Sequence, residues 1–199
     1  MNLKEHNLWT ALVTPMKSDG SIEFEDLEFL VRKQEEAGNG ILLIGSTGEG
    51  LALDEDDKRS VIYFVKGLNP SVPIMAGVGG FNLENQVSWI KDCTKEGVDA
   101  FLLVTPLYAR PGLHGQVHWF QKLMDASGKP CMLYNIPSRT GTKLQPEALK
   151  MLSSHEKLWA VKEASGSMAE YEQFRKTTPD VPLYSGDDAL LPYFSVSGC

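Results

Sequence analysis

Residues 40–80 read GILLIGSTGEGLALDEDDKRSVIYFVKGLNPSVPIMAGVGG. An apolar run of strand length ends in a Gly-Ser-Thr loop. An acid-led segment with apolar residues at helical spacing follows, and then a second apolar run that ends in glycines. Continuous rather than alternating apolar runs mark strands covered on both faces. Two such strands joined by an amphipathic helix form a βαβ unit with parallel strands. The acids at 54–57 suit the positive end of a helix dipole.

The same unit repeats outward in both directions. Short apolar runs recur at WTALVTP (9–15), DAFLLVTP (99–106), KPCMLYNIP (129–137), KLWAVKEASG (157–166) and VPLYSGDD (181–188), making seven with the two above. Between them, FEDLEFLVRKQEEAG (24–38) puts Phe24, Leu27, Leu30 and Val31 on one helical face. NLENQVSWIKDCTKEG (82–97) does the same with Leu83, Val87, Ile90 and Cys93, and Gly97 closes it. GQVHWFQKLMDASG (115–128) is a further helix of this kind. The alternation predicts an α/β fold, either a TIM (β/α)8 barrel or an open doubly wound sheet. No linker or low-complexity segment divides the chain, so residues 1–199 are expected to form one domain.

Composition narrows the function. The 199 residues are 42% hydrophobic and carry a formal net charge of −7, which disfavours nucleic acid and anionic membranes as partners. No apolar run reaches the length of a membrane span or of a signal peptide core. Cys93, Cys131 and Cys199 are scattered and form no CxxC pair, which fits a reducing cytoplasm.

In both candidate folds, chemistry gathers at the carboxyl ends of the strands. GSTGEG (45–50) is either a generic turn or an anion cradle of amides and hydroxyls, and it has no P-loop spacing. His114 and His118 are four apart on a helix, but no third ligand accompanies them. No HExxH, CxxC or GxSxG motif occurs, so neither a catalytic metal nor a hydrolase elbow is expected. Arg139 is either a surface arginine in a turn or a clamp for a carboxylate. Tyr108 and Tyr134 are packing residues or members of a proton relay.

Lys162 interrupts the run LWAVKEASG. Strand alternation puts Ala160, Lys162 and Ala164 on one face and Val161 and Glu163 on the other. The lysine either snorkels to solvent or serves as a Schiff-base amine. Desolvation favours the neutral form that such an amine needs, and the small alanines leave room for a ligand.

Taken in order, ALVTPM, GSTGEG, VTPLYARP, YNIPSRTG, VKEASG and SGDDA resemble the dihydrodipicolinate synthase family, within the N-acetylneuraminate lyase superfamily of pyruvate-dependent aldolases. The resemblance runs from about residue 9 to the end. It implies a TIM (β/α)8 barrel, a homotetramer built as a dimer of dimers, and no organic cofactor or catalytic metal. Lys162 resembles the lysine that forms an imine with pyruvate, and Tyr134 the tyrosine that moves protons beside it. Ser46 stands where the family usually has a relay threonine, and Thr47 resembles part of the cradle for the pyruvate carboxylate. Tyr108 resembles the tyrosine that completes a neighbour's relay. Arg139 resembles the arginine that holds the carboxylate of L-aspartate-4-semialdehyde, and Gly186 lies near the entry to that site. The implied reaction yields 4-hydroxy-tetrahydrodipicolinate, on the route to diaminopimelate and lysine. Sialic-acid lyases usually lack an arginine in the SRTG segment, which makes a sugar-acid aldolase the alternative reading. A non-catalytic homologue is a third.

Departures from the family pattern carry expectations of their own. Leu107 and Ala109 stand where the family often has Tyr and Asn, and that Tyr normally packs at the tight-dimer interface. Gly50, Leu51, Glu55, Lys58, Phe81, Asn85 and Leu107 occupy the places of the family's lysine-feedback pocket, so weak or absent inhibition by L-lysine is expected. The chain ends at PYFSVSGC, before an eighth strand and the usual C-terminal helices. This predicts a fragment of a longer protein, with open strand edges and poor stability or activity alone.

Overall fold

Apolar periodicity becomes structure where it is strongest. In the computed structural model, which describes residues 3–197, helix α1 (Phe24–Glu36) buries Leu27 and Val31. Helix α2 (Glu55–Gly67) buries Val61, Ile62 and Val65. Its N-cap is Asp54, whose carboxylate accepts a hydrogen bond from the Asp57 N–H at 2.8 Å. Helix α3 (Leu83–Lys95) buries Trp89, Ile90 and Cys93. Helix α4 (Leu113–Ser127) ends at Gly128, which takes the left-handed conformation (φ 59°) that a side chain resists.

Strands form at all seven apolar runs: β1 (Trp9–Ala11), β2 (Gly40–Leu43), β3 (Ile74–Val78), β4 (Ala100–Val104), β5 (Cys131–Asn135), β6 (Leu158–Glu163) and β7 (Leu183–Ser185). Every residue of β2, β3 and β5 is buried, as strands covered on both faces require. Four helices beyond the sequence expectation follow β5: α5 (Pro137–Thr140), α6 (Pro146–Leu152), α7 (Met168–Thr177) and α8 (Leu191–Val196).

The chain divides into two compact units, Met1–Val78 with Trp89–Leu102 and Gly79–Ser88 with Leu103–Cys199, the division running through α3 and β4. In the first unit β1, β2 and β3 pair in parallel and in chain order, with Thr10 opposite Ile41 and Leu42 opposite Met75. The Trp89 indole donates to the Gly77 carbonyl at 3.0 Å, fastening α3 to β3. Asp99 accepts from the Ile74 N–H at 2.9 Å and lies 3.6 Å from the Lys66 ammonium.

In the second unit β5, β6 and β7 also pair in parallel and in chain order. The β5–β6 ladder shifts register between Cys131 and Met132: Cys131 faces Leu158, but Met132 faces Ala160. Trp159 is the extra residue of this bulge. The ladder then continues with Tyr134 opposite Lys162 and Asn135 opposite Glu163. Helices α7 and α8 meet through Tyr171 and Phe194, whose rings stack at 4.4 Å and 9°.

Cys93 and Cys131 are buried and unbridged. Burial pushes both thiols up, Cys131 to about 12, so neither is a nucleophile near neutral pH. Cys199 lies outside the described residues. Among the described residues no helix is long and apolar enough to cross a membrane.

Candidate active site

The second unit brings Lys162, Tyr134 and Gly186 together. Strand pairing puts Lys162 of β6 level with Tyr134 of β5, so both side chains leave the same face. The Lys162 amine sits 4.7 Å from the centre of the Tyr134 ring. Tyr134 is buried, at 6% exposure, and Ala160 beside it on the lysine's face is buried as well. Burial lowers the Lys162 pKa, and the negative charge of Asp188 partly opposes that shift. The amine is therefore biased toward the neutral, nucleophilic form.

Gly186 follows β7 and lies directly against the lysine stem. A Cβ there would stand 2.6 Å from the Lys162 Cε and 2.9 Å from the Ala164 Cβ. Only glycine lets the methylenes pass this close. Its N–H donates to the Glu163 carbonyl at 2.7 Å, holding the β7 end to β6.

The opposite face of β6 carries a network that the motifs did not single out. Glu163 and Asn135 are both fully buried. The Asn135 amide donates to the Glu163 carboxylate at 2.7 Å and to Glu170 at 3.2 Å, while its oxygen accepts from the Leu144 N–H at 2.9 Å. The second Glu163 oxygen accepts from the Ser165 N–H at 2.6 Å. Glu170 lies 3.5 Å from the Lys143 ammonium. Burial raises the Glu163 pKa against the pull of these hydrogen bonds. The signal in the sequence was an acid in a buried run, on the face turned away from Lys162, which needs partners to stay there.

The remaining candidates lie on other elements and loops. Arg139 is exposed on α5. Tyr108 is 93% exposed in a left-handed conformation (φ 64°), so its hydroxyl is not packed against Lys162 within this chain. Its loop is tied down by the Tyr108 N–H, which donates to the Thr140 carbonyl at 3.3 Å. Ser46 and Thr47 belong to the first unit and are exposed in the loop after β2. That loop is tightly wound. Thr14 donates to the Gly48 carbonyl at 2.8 Å, Gly50 donates to the Gly45 carbonyl at 3.0 Å, and a Cβ on Gly50 would strike the Ile44 carbonyl. His114 and His118 are exposed on α4, and no group of three potential metal ligands occurs among the described residues.

Comparison with known proteins places this geometry. The family model described as the dihydrodipicolinate synthetase family matches residues 4–199. The 4-hydroxy-tetrahydrodipicolinate synthase of Francisella philomiragia is 52% identical over 187 residues, 94% of this chain and 63% of that protein. The chain thus spans somewhat less than two thirds of that relative's length. The crystal structure of dihydrodipicolinate synthase from Bacillus anthracis is 32% identical with a TM-score of 0.90, over 96% of this chain and 67% of that one. The chloride-inhibited dihydrodipicolinate synthase from Acinetobacter baumannii, complexed with pyruvate, is 30% identical with a TM-score of 0.92, over 98% and 68%. These matches decide between the two architectures left open by the alternation. The fold is that of a TIM (β/α)8 barrel with seven strands among the described residues. The chain belongs to the dihydrodipicolinate synthetase family.

Proposed function

We propose that the protein acts as a 4-hydroxy-tetrahydrodipicolinate synthase, joining pyruvate to L-aspartate-4-semialdehyde through an imine on Lys162. The observation that carries the reading is the half-buried Lys162 amine held 4.7 Å from the ring of a buried tyrosine. The neutral amine adds to the keto carbon of pyruvate, and water leaves to give the imine. Loss of a proton from the pyruvate methyl gives the enamine. The enamine carbon bonds to the aldehyde carbon of the second substrate, whose oxygen takes up a proton. Attack of that substrate's own amine on the imine carbon closes the ring and frees the lysine. Each step needs a proton held or moved beside the amine, the role assigned to the Tyr134 hydroxyl.

Ser46 and Tyr108 are assigned to the same relay, Tyr108 on behalf of a neighbouring subunit. Thr47 is assigned to the pyruvate carboxylate, and Arg139 and Gly186 to the semialdehyde. The names of the relatives and the pyruvate complex of the Acinetobacter enzyme support the reaction as a whole. The proposal includes a homotetramer in the cytoplasm, working without organic cofactor or metal.

The test is incubation with pyruvate and borohydride, followed by mass mapping of the adduct. A reduced pyruvate adduct on Lys162 is expected, and none in Lys162→Ala. Its absence, or an adduct that persists in Lys162→Ala, refutes the imine. Turnover with aspartate semialdehyde that falls in Arg139→Ala, chiefly through KM, separates the synthase from a sugar-acid aldolase.

A further inference from the structure

The active-site pairing depends on a register that the backbone alone does not guarantee. Without the bulge at Trp159, the pairing that starts at Cys131 and Leu158 would set Asn135, not Tyr134, opposite Lys162. At the far end of the shifted ladder, next to Tyr134 and Lys162, the cross-strand partners Asn135 and Glu163 are joined side chain to side chain at 2.7 Å. We propose that the buried Glu163–Asn135 pair is a register lock for the proposed imine chemistry, making Glu163 a positioning residue that keeps Tyr134 level with Lys162.

The lock is directional. Asn135 cannot turn over, because its oxygen is engaged by the Leu144 N–H, so its amide must face Glu163. Glu163 meets two donors, the Asn135 amide and the Ser165 N–H, and only a group with two acceptor oxygens satisfies both. The Ser165 bond also fixes the first residues after β6, and the Glu163 carbonyl receives the Gly186 N–H from β7. One buried side chain and its own backbone therefore hold three strand ends around Lys162. Nearby charge is accounted for by Glu170, which shares the Asn135 amide, and Lys143, which pairs with Glu170.

The inference rests on the imine reading, and its test separates the two. Glu163→Gln puts an NH2 against one of the two donors and breaks one bond. The swapped variant Glu163→Gln/Asn135→Asp/Glu170→Gln restores these side-chain bonds, with both glutamines now donating to the aspartate and no carboxylate set against another. The readout is the first-order rate of borohydride-trappable imine formation at saturating pyruvate, with KM for pyruvate and the melting temperature measured alongside. Displacing reacting groups by about an ångström costs on the order of 100-fold, so Glu163→Gln is expected to slow imine formation by ~10- to 100-fold. Its KM is expected to change by less than about threefold, as a loss confined to positioning requires. The swapped variant is expected to recover most of the rate.

A folded Glu163→Gln protein with an unchanged rate overturns the register lock while leaving the imine intact. So does a slow rate that the swap fails to recover while its melting temperature returns to that of the wild type. If Glu163→Gln fails to fold, the swap alone decides, by reaching or missing the wild-type rate. No adduct in the wild type removes the imine reading and this inference with it.

Discussion

Lys162 is balanced between burial and one nearby charge. Burial lowers its pKa from the ordinary 10.5, and the Asp188 carboxylate pulls it back up by favouring the ammonium. The depressed pKa destabilises the folded chain below the folded value, where the half-buried amine carries a proton that water would hold more readily. That cost is relieved as pH rises through the window toward 10.5. Replacing Asp188 with Asn removes the attraction, so the pKa falls further and the neutral amine dominates at lower pH. The rising limb of a pH profile of imine formation in Asp188→Asn is therefore expected to move to lower pH. A shift to higher pH, or none, contradicts the assignment. The lysine's face was legible in VKEASG, because strand alternation is a property of the chain. Gly186 as the surface the stem lies on was not, because nothing local links residue 186 to residue 162.

At the level of elements, legibility followed length and burial. Helices α1 to α4, each at least three turns long with an apolar stripe, could be read from spacing. Helices α5 and α6 could not, since four and seven residues hold too little periodicity. Helix α7 buries only Tyr171 and Phe174, yet SMAE (167–170) is an S-x-x-E capping signal, and the Ser167 hydroxyl accepts from the Glu170 N–H at 3.4 Å. The caps of α2 and α7 differ in quality, since the Asp54 bond to Asp57 is 2.8 Å and charged. Asp54→Ala is expected to cost about 1 kcal/mol and Ser167→Ala less. Denaturant midpoints of the two variants check this, and a larger loss in Ser167→Ala would reverse the ranking.

At the scale of the whole molecule, the family's lysine response provides the test. Free lysine needs an anionic partner for its ammonium and donors for its carboxylate. Of the residues at the corresponding places, Leu51 and Phe81 are apolar and exposed, and Lys58 and Glu55 are engaged with each other at 3.1 Å. Steady-state turnover is expected to be insensitive to L-lysine, and inhibition at submillimolar lysine would refute this. The sequence by itself determined the strand and helix alternation, the family motifs and the face on which Lys162 stands, because these are written in periodicity and local residue order. Only the tertiary structure decided how Tyr134 comes level with that lysine. The alignment depends on a one-residue register shift at Trp159 and on a buried Asn135–Glu163 hydrogen bond between residues 28 positions apart. Pairing across strands is set by packing and by satisfying buried polar groups, which no local pattern encodes.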